Sequence, residues 1–307
     1  MFRALSPGAS VAVIAPASHA PTESFEAGLA LLADRYDVLR GYYPNRVSRQ
    51  EPPFAYLAGS DAERAAALNA AIRDPQVGAI FCARGGYGAT RLLALSGGQA
   101  LDLPALAARG VPLVGFSDIT ALHQAAVTAG AISIHGPVVN QLAVLPEGDR
   151  EVLFALLEGR AMPRLEGLGY LVGGRARGRL RGGNLTLLAA LCGTPQQPRF
   201  AGCVVLLEDV GEVPYRLDRM LTQLLATGAL DDIAGVVLGD FASCDAEQGQ
   251  PPTPITALEV LGERLGRLQV PIASGAPVGH GARNVALPLG VEVALDAQAG
   301  TLEVLPG

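Results

Sequence analysis

The chain contains no lysine, so all 23 of its basic residues are arginine. That absence excludes a Schiff-base lysine, a P-loop lysine and a Ser-Lys catalytic dyad together. Tryptophan is also absent. The four cysteines, Cys82, Cys192, Cys203 and Cys244, form no C-x-x-C pair, and no histidine stands at metal-ligand spacing from them, so no metal is expected. Cys82 and Cys203 lie inside apolar runs and read as inert core thiols, in keeping with a reducing cytoplasm. No apolar run reaches the roughly 18 residues of a membrane span, because Gly, Pro, Arg or Asp interrupts each one. The opening "MFRALSPGASVAVIAPASHA" mimics a signal peptide, but Pro7 and Gly8 break it, and "SVAVIAPA" reads instead as a first β-strand. A formal charge of -6 and a pI near 5.3 leave no electrostatic footprint for nucleic acid. The one local exception, "GGRARGRLRGG" at Gly173 to Gly183, reads as a solvated strand edge with glycine turns rather than an RNA-binding tract.

What is present is a large apolar complement: 50% of 307 residues are hydrophobic and mean hydropathy is +0.31. That suffices for about two domains with sizeable cores. To about residue 140, short β-rich runs ("VAVIAP", "VGAIFCA", "VPLVGFS", "AISIHGPV") alternate with helical patterns. The alternation predicts a Rossmann-like, doubly wound parallel sheet over 1–140, with ligands beyond the carboxyl ends of its strands. A helix and a Pro/Gly-containing connector follow at 141–165. The remainder, 166–307, reads as a mixed α/β domain closed by a hairpin turned at Ala299 and Gly300, and "QGQPPTP" at Gln248 to Pro254 reads as an ordinary loop.

The stretch "VPLVGFSDITALHQAA" passes from strand to helix through Ser117. A serine on such a turn has an accessible hydroxyl, and the N–H of Asp118 beside it lies at a helix N-terminus. Taken alone, the position favours a helix cap supplied by Ser117 or Asp118 over a nucleophile. A serine nucleophile needs a base, and histidine is the available type. His123, six residues on, points about 120° away around the helix. His280, in the glycine-rich "VPIASGAPVGHGARN", ranks just ahead of His135, while His19 follows the first strand. Glu208, at the tip of the buried run "CVVLLE", is the natural orienting acid because an unpaired carboxylate there would cost several kcal/mol or so. Its competitor, Glu212, reads as a solvated loop carboxylate. In "CARGGYGATRLL" a dinucleotide fingerprint fails at Arg91, but Gly85 and Gly86 could donate backbone N–H groups to an oxyanion, and Arg84 could clamp a carboxylate.

With these pieces together, the sequence resembles the LD-carboxypeptidase family of serine peptidases, which includes muramoyltetrapeptide carboxypeptidases and microcin C resistance peptidases. The blocks that carry the resemblance are "IAPAS", "ARGGYGATRLL", "GFSDITAL", "HGPV", "GRLRGGNLTLLAALCGTP", "LLEDVGEVPYRLDRMLTQL" and "GAPVGHGARNVALPLG". The resemblance implies a Rossmann-like N-terminal domain, a mixed C-terminal one and an active site between them. It implies Ser117 as nucleophile, His280 as base, Glu208 as its orienting acid, and an oxyanion hole from Asp118 with Gly85 or Gly86. Arg84 and Asn184 are candidate substrate-binding residues. The implied reaction releases C-terminal D-alanine from murein tetrapeptides in cytoplasmic peptidoglycan recycling, by a homodimer without metal or cofactor. Cleavage of aminoacyl or peptidyl nucleotides is the alternative within the family, although no tryptophan is available to stack on a base. A nucleotide- or sugar-binding protein with Ser117 as a mere cap is the alternative outside it.

Overall fold

A computed structural model describes residues 2–43, 54–246 and 254–305. The chain divides into two compact units, on either side of the 161/162 junction.

In the first unit, five strands form a parallel sheet: β1 (Ser10–Ile14), β2 (Asp37–Leu39), β3 (Ala79–Cys82), β4 (Leu113–Gly115) and β5 (Ser133–His135), in the order β2-β1-β3-β4-β5. This is the expected doubly wound arrangement, with its switch point between β1 and β3. Strands β3, β4 and β5 are buried throughout, which is why they read as unbroken apolar runs. The helices are α1 (Thr22–Ala33), α2 (Asp61–Arg73), α3 (Ala89–Leu93), α4 (Leu103–Arg109), α5 (Thr120–Thr128) and α6 (Glu147–Leu157). Local chemistry sets their ends. Ser60 and Glu63 form a reciprocal capping box on α2, and Asp102 caps α4, which ends at Gly110 in the left-handed region.

The second unit holds an eight-stranded mixed sheet ordered β6-β14-β13-β8-β9-β10-β11-β7. Its strands are β6 (Arg164–Leu165), β7 (Gly169–Val172), β8 (Arg175–Asn184), β9 (Cys203–Val210), β10 (Gly235–Ala242), β11 (Ile272–Ser274), β13 (Glu292–Asp296) and β14 (Thr301–Val304). The short strand β12 (Leu287–Leu289) lies outside it. Strands β8 to β11 run parallel, and α7 (Leu185–Ala190), α8 (Pro214–Ala226) and α9 (Ala257–Gly266) bury Leu188, Leu221 and Leu261 in the core beneath them.

Two expectations need correction. The arginine tract is not an edge: β8 is an interior strand, paired with β13 on one side and β9 on the other. Its outward arginines face acids on β13, Arg175 meeting Asp296 at 2.6 Å and Arg177 meeting Glu292 at 3.6 Å. Its glycines serve close approach, since a Cβ on Gly178 or Gly182 would stand 2.2 or 2.1 Å from a carbonyl oxygen of the neighbouring chain segment. The Pro/Gly stretch after α6 is not merely a connector, because β6 forms at its end and β7 follows from Gly169. The closing hairpin is as expected, with Gly300 at φ +69°. Except for Pro254, the "QGQPPTP" loop lies outside the described residues. Cys82 and Cys203 are buried, and burial pushes both thiols up, which makes them poor nucleophiles. Among the described residues no helix is long and apolar enough to cross a membrane.

Candidate active site

The loops at the carboxyl ends of β1, β3 and β4 meet around Ser117. After β4 the backbone stays extended at Phe116, then Ser117 takes φ +63° before the chain enters the turn that leads into α5. A non-glycine residue in the left-handed region costs on the order of 1 kcal/mol and signals a position whose geometry matters. The capping alternative fails here. Neither Ser117 nor Asp118 caps the turn it begins, and the Asp118 carboxylate instead accepts the Ala89 N–H at 2.7 Å, at the start of α3.

Asp118 is fully buried, and burial pushes its carboxyl up to about 6, against the opposing pull of the Ala89 N–H and Arg64. Between the ordinary value of 3.8 and about 6, the folded state therefore binds more protons than the unfolded one. Stability contributed at this position falls as pH rises through that window, by about 3 kcal/mol in all. Urea unfolding at pH 4 and pH 7 should show Asp118→Asn gaining about 2 kcal/mol of this on wild type between the two pH values, because at pH 4 the unfolded carboxyl is already more than half ionised. A constant difference would mean that the carboxylate is not buried as a charge.

The glycine loop after β3 lies against the serine. A Cβ on Gly85 would sit 2.9 Å from the Ser117 Cβ, and one on Gly86, at φ +96°, would sit 2.5 Å from the Ser18 hydroxyl. Ser18, from the loop after β1, fastens this segment: its N–H donates to the Gly85 carbonyl at 3.2 Å, and its hydroxyl accepts the Tyr87 N–H at 3.1 Å. Below them the buried Arg64 guanidinium donates to the carbonyls of Pro16 and Gly88 and pairs with Asp61. Arg84 is half-buried and donates to the His19 carbonyl at 3.1 Å. Neither Ser18 nor Arg64 stands out from sequence patterning. Ser18 does fall in the "IAPAS" block, whereas the role of Arg64 depends on contacts 24 and 48 residues distant.

The histidines separate clearly. His123 is buried in the structure, bonded through Nδ1 to the Ser133 hydroxyl and through Nε2 to the Gly115 carbonyl, and burial holds it down at about 4. His135 is fully buried at the end of β5, edge-on to Phe116. His280 keeps 18% of its side chain exposed, and its Nδ1 lies 2.7 Å from the fully buried Glu208 carboxylate. Burial lowers the basicity of His280, but the hydrogen bond and charge of Glu208, helped by Asp209 and Asp240, outweigh it and hold the imidazole above its ordinary 6.5. Burial raises Glu208, and His280 offsets part of that.

Successive side chains of β9 alternate faces, so Glu208 turns to His280 while Asp209 turns to the start of α7. There Asp209 accepts the Thr186 N–H and hydroxyl, both at 2.8 Å, and the Asn184 amide at 3.0 Å. Asn184 also caps α7 through the Leu187 N–H and stands opposite Glu208 in the sheet register. The turn carrying His280 is closed by Asn284, whose side chain accepts the Gly279 N–H at 3.1 Å, and by the Val278 carbonyl, which accepts the Asp240 N–H at 2.8 Å. Glycine is required where this turn crosses the acid: a Cβ on Gly279, at φ +124°, would stand 2.7 Å from the Glu208 carboxylate. Glu212 pairs with Arg216 at 3.7 Å one helical turn away and takes no part in this cluster. Among the described residues no group of His, Cys, Asp or Glu could hold a metal ion.

Residues 11–136 match the LD-carboxypeptidase N-terminal domain, and residues 177–295 match the LD-carboxypeptidase C-terminal domain. The chain belongs to the LD-carboxypeptidase family. A murein tetrapeptide carboxypeptidase of Pseudomonas aeruginosa is 36% identical to this LD-carboxypeptidase family member, over 93% of this chain and 92% of its own. The crystal structure of a muramoyltetrapeptide carboxypeptidase from Oxalobacter formigenes superposes with a TM-score of 0.82 at 30% identity, covering 97% of this chain and 99% of that one. The microcin C7 self-immunity protein of Escherichia coli is more distant, at 25% identity over 78% of this chain and 77% of its own. A solved microcin C7 self-immunity protein shares the fold, with a TM-score of 0.86 at 21% identity across 100% of this chain and 99% of that one. A family member of this kind is a carboxypeptidase, a hydrolase acting on a peptide.

Proposed function

We propose that the protein is a serine L,D-carboxypeptidase that hydrolyses the C-terminal D-alanine from murein tetrapeptides in peptidoglycan recycling. It would work in the cytoplasm as a homodimer, without metal or cofactor. The observation that carries this reading is the buried Glu208 carboxylate on Nδ1 of a partly exposed His280. That contact keeps a proton on Nδ1, so the lone pair resides on Nε2. In the proposed triad Nε2 takes the Ser117 proton as the hydroxyl oxygen attacks the scissile carbonyl, and the imidazolium that forms is stabilised by Glu208. The tetrahedral oxyanion accepts the N–H of Asp118 and that of Gly85 or Gly86, donors worth roughly 100- to 1000-fold each in such sites. His280 then gives its proton to the departing D-alanine amine, and water resolves the acyl-enzyme by the same steps. Arg84 would hold the terminal carboxylate. Both ends of the Asn184 amide are engaged within the fold, with Asp209 and the Leu187 N–H, so its proposed part is to hold the tip of β9 that carries Glu208 rather than to grip substrate.

Mass spectrometry of wild-type reactions with murein tetrapeptide and, separately, an aminoacyl adenylate analogue tests the substrate class. Release of D-alanine with the analogue intact is expected. Cleavage of the analogue alone would assign the microcin-type activity instead, and inertness to both, with no fluorophosphonate labelling of Ser117, would leave a binding protein.

A further inference from the structure

Beside the glycine loop, three aromatic rings line one rim of the first unit. Tyr56 and Tyr87 are each nearly half exposed, at 45% and 46%, in a protein with few aromatic residues. Their ring centroids lie 5.8 Å apart with planes inclined at 57°, and Phe54 meets Tyr56 edge-on at 6.2 Å. Scattered exposed apolar side chains need no explanation, but a contiguous cluster held rigid beside a reactive loop does.

Rigidity has identifiable sources. Leu57 is buried against Gly88, where a Cβ would meet its methyl at 2.7 Å, and the Ala58 N–H donates to the Ala17 carbonyl at 3.0 Å. The Arg91 guanidinium lies 5.0 Å from the Phe54 ring centroid and is itself clamped by Asp61 through contacts at 2.8 and 2.7 Å. The Ser18 hydroxyl fixes the Tyr87 backbone.

Resting on the L,D-carboxypeptidase function proposed above, we infer that Tyr56 and Tyr87, buttressed by Phe54, form a carbohydrate-binding shelf that seats the sugar of a muramyl-linked tetrapeptide. Three properties of the shelf select this occupant. A puckered pyranose presents C–H groups to the positive-edge-seeking faces of two inclined rings and hydroxyls to the phenols at their tips. A flat nucleobase is served by parallel stacking, which rings inclined at 57° do not supply on both sides. The cations packed against the shelf, Arg91 and the buried Arg64, are both held by Asp61, which suits a neutral sugar better than a phosphate. Reach also agrees. Tyr87 is two residues from Gly85, at most about 7 Å of backbone plus a side chain, and the three residues between a scissile D-alanine bond and the sugar span roughly 10 Å when extended.

Two measurements test the shelf. In the first, kcat/KM is compared for muramyl-linked and free tetrapeptide, with wild type expected to favour the linked form about tenfold. Tyr56→Ala and Tyr87→Ala should bring that ratio towards one by raising KM for the linked substrate, while the Tyr→Phe variants, which keep the rings, retain most of it. A wild-type ratio near one, or Ala variants that keep the preference, would overturn the shelf while leaving the carboxypeptidase function standing. In the second, saturation-transfer NMR of wild type with the methyl glycoside of N-acetylmuramic acid methylamide, whose lactyl carboxyl is capped as an amide as it is in the linked substrate, does not depend on turnover. Transfer to the sugar that is lost in both Ala variants supports the shelf. Transfer that persists in the variants, or that appears only with adenosine monophosphate, refutes it even if neither peptide is cleaved.

Discussion

Ser117→Ala should lower D-alanine release from murein tetrapeptide by about 10⁴- to 10⁶-fold, the range over which loss of an activated serine leaves only binding and oxyanion stabilisation. The variant should fold as wild type does. Alanine meets the same left-handed backbone as serine at φ +63°, and the serine side chain caps neither the turn it begins nor α5. Ser117→Gly makes a sharper control: it should be equally inactive yet more stable by up to about 1 kcal/mol, because glycine adopts positive φ without penalty. Release of D-alanine by Ser117→Ala at even a hundredth of the wild-type rate would remove the serine from the chemistry and leave the turn at "GFSDIT" as a structural element.

Glu208→Gln should reduce kcat by about 10³- to 10⁴-fold, since an amide neither enforces the Nδ1–H tautomer nor stabilises the imidazolium. It should also move the pH profile. The active form of a histidine base is neutral, so wild-type kcat/KM should fall as pH drops through the raised His280 value, with a midpoint above 6.5. Burial alone lowers a histidine, and Glu208 is the leading opposing influence. Without the carboxylate the acid limb should therefore shift to lower pH, leaving a slower enzyme that tolerates acid better. A limb that stays in place would show that another group sets it.

Much of the fold was legible because its signals are local. Parallel strands buried on both faces leave apolar runs, and the strand-to-helix step at Ser117 is written in consecutive residues. Glu208 was legible for the same reason, as a carboxylate ending the run "CVVLLE". What escaped was decided by partners distant in sequence. The tract "GGRARGRLRGG" reads as an edge until β13, more than a hundred residues later, covers its outer side with Glu292 and Asp296. Asp118 reads as a cap for its own helix, yet it satisfies the Ala89 N–H 29 residues upstream. Short β2 and β6, of three and two residues, carry too little periodicity to register. Asn284 and Ser18 are small polar residues whose importance lies in which backbone N–H they reach.

The two adjacent acids of β9 also make the strand self-checking. Because side chains alternate with a period of two, slipping β9 by a single residue against β8 would turn Asp209 towards His280 and bring Glu208 beneath α7. Asp209 is one methylene shorter, and Glu208 would lose its histidine, so both buried charges would be left poorly matched at once. One register alone satisfies both, and it is the register that completes the acid–imidazole pair. Insertion or deletion of one residue between Cys203 and Leu207 would keep the β-propensity of the segment while uncoupling the base from its acid, so hydrolytic activity doubles as an assay for correct sheet assembly.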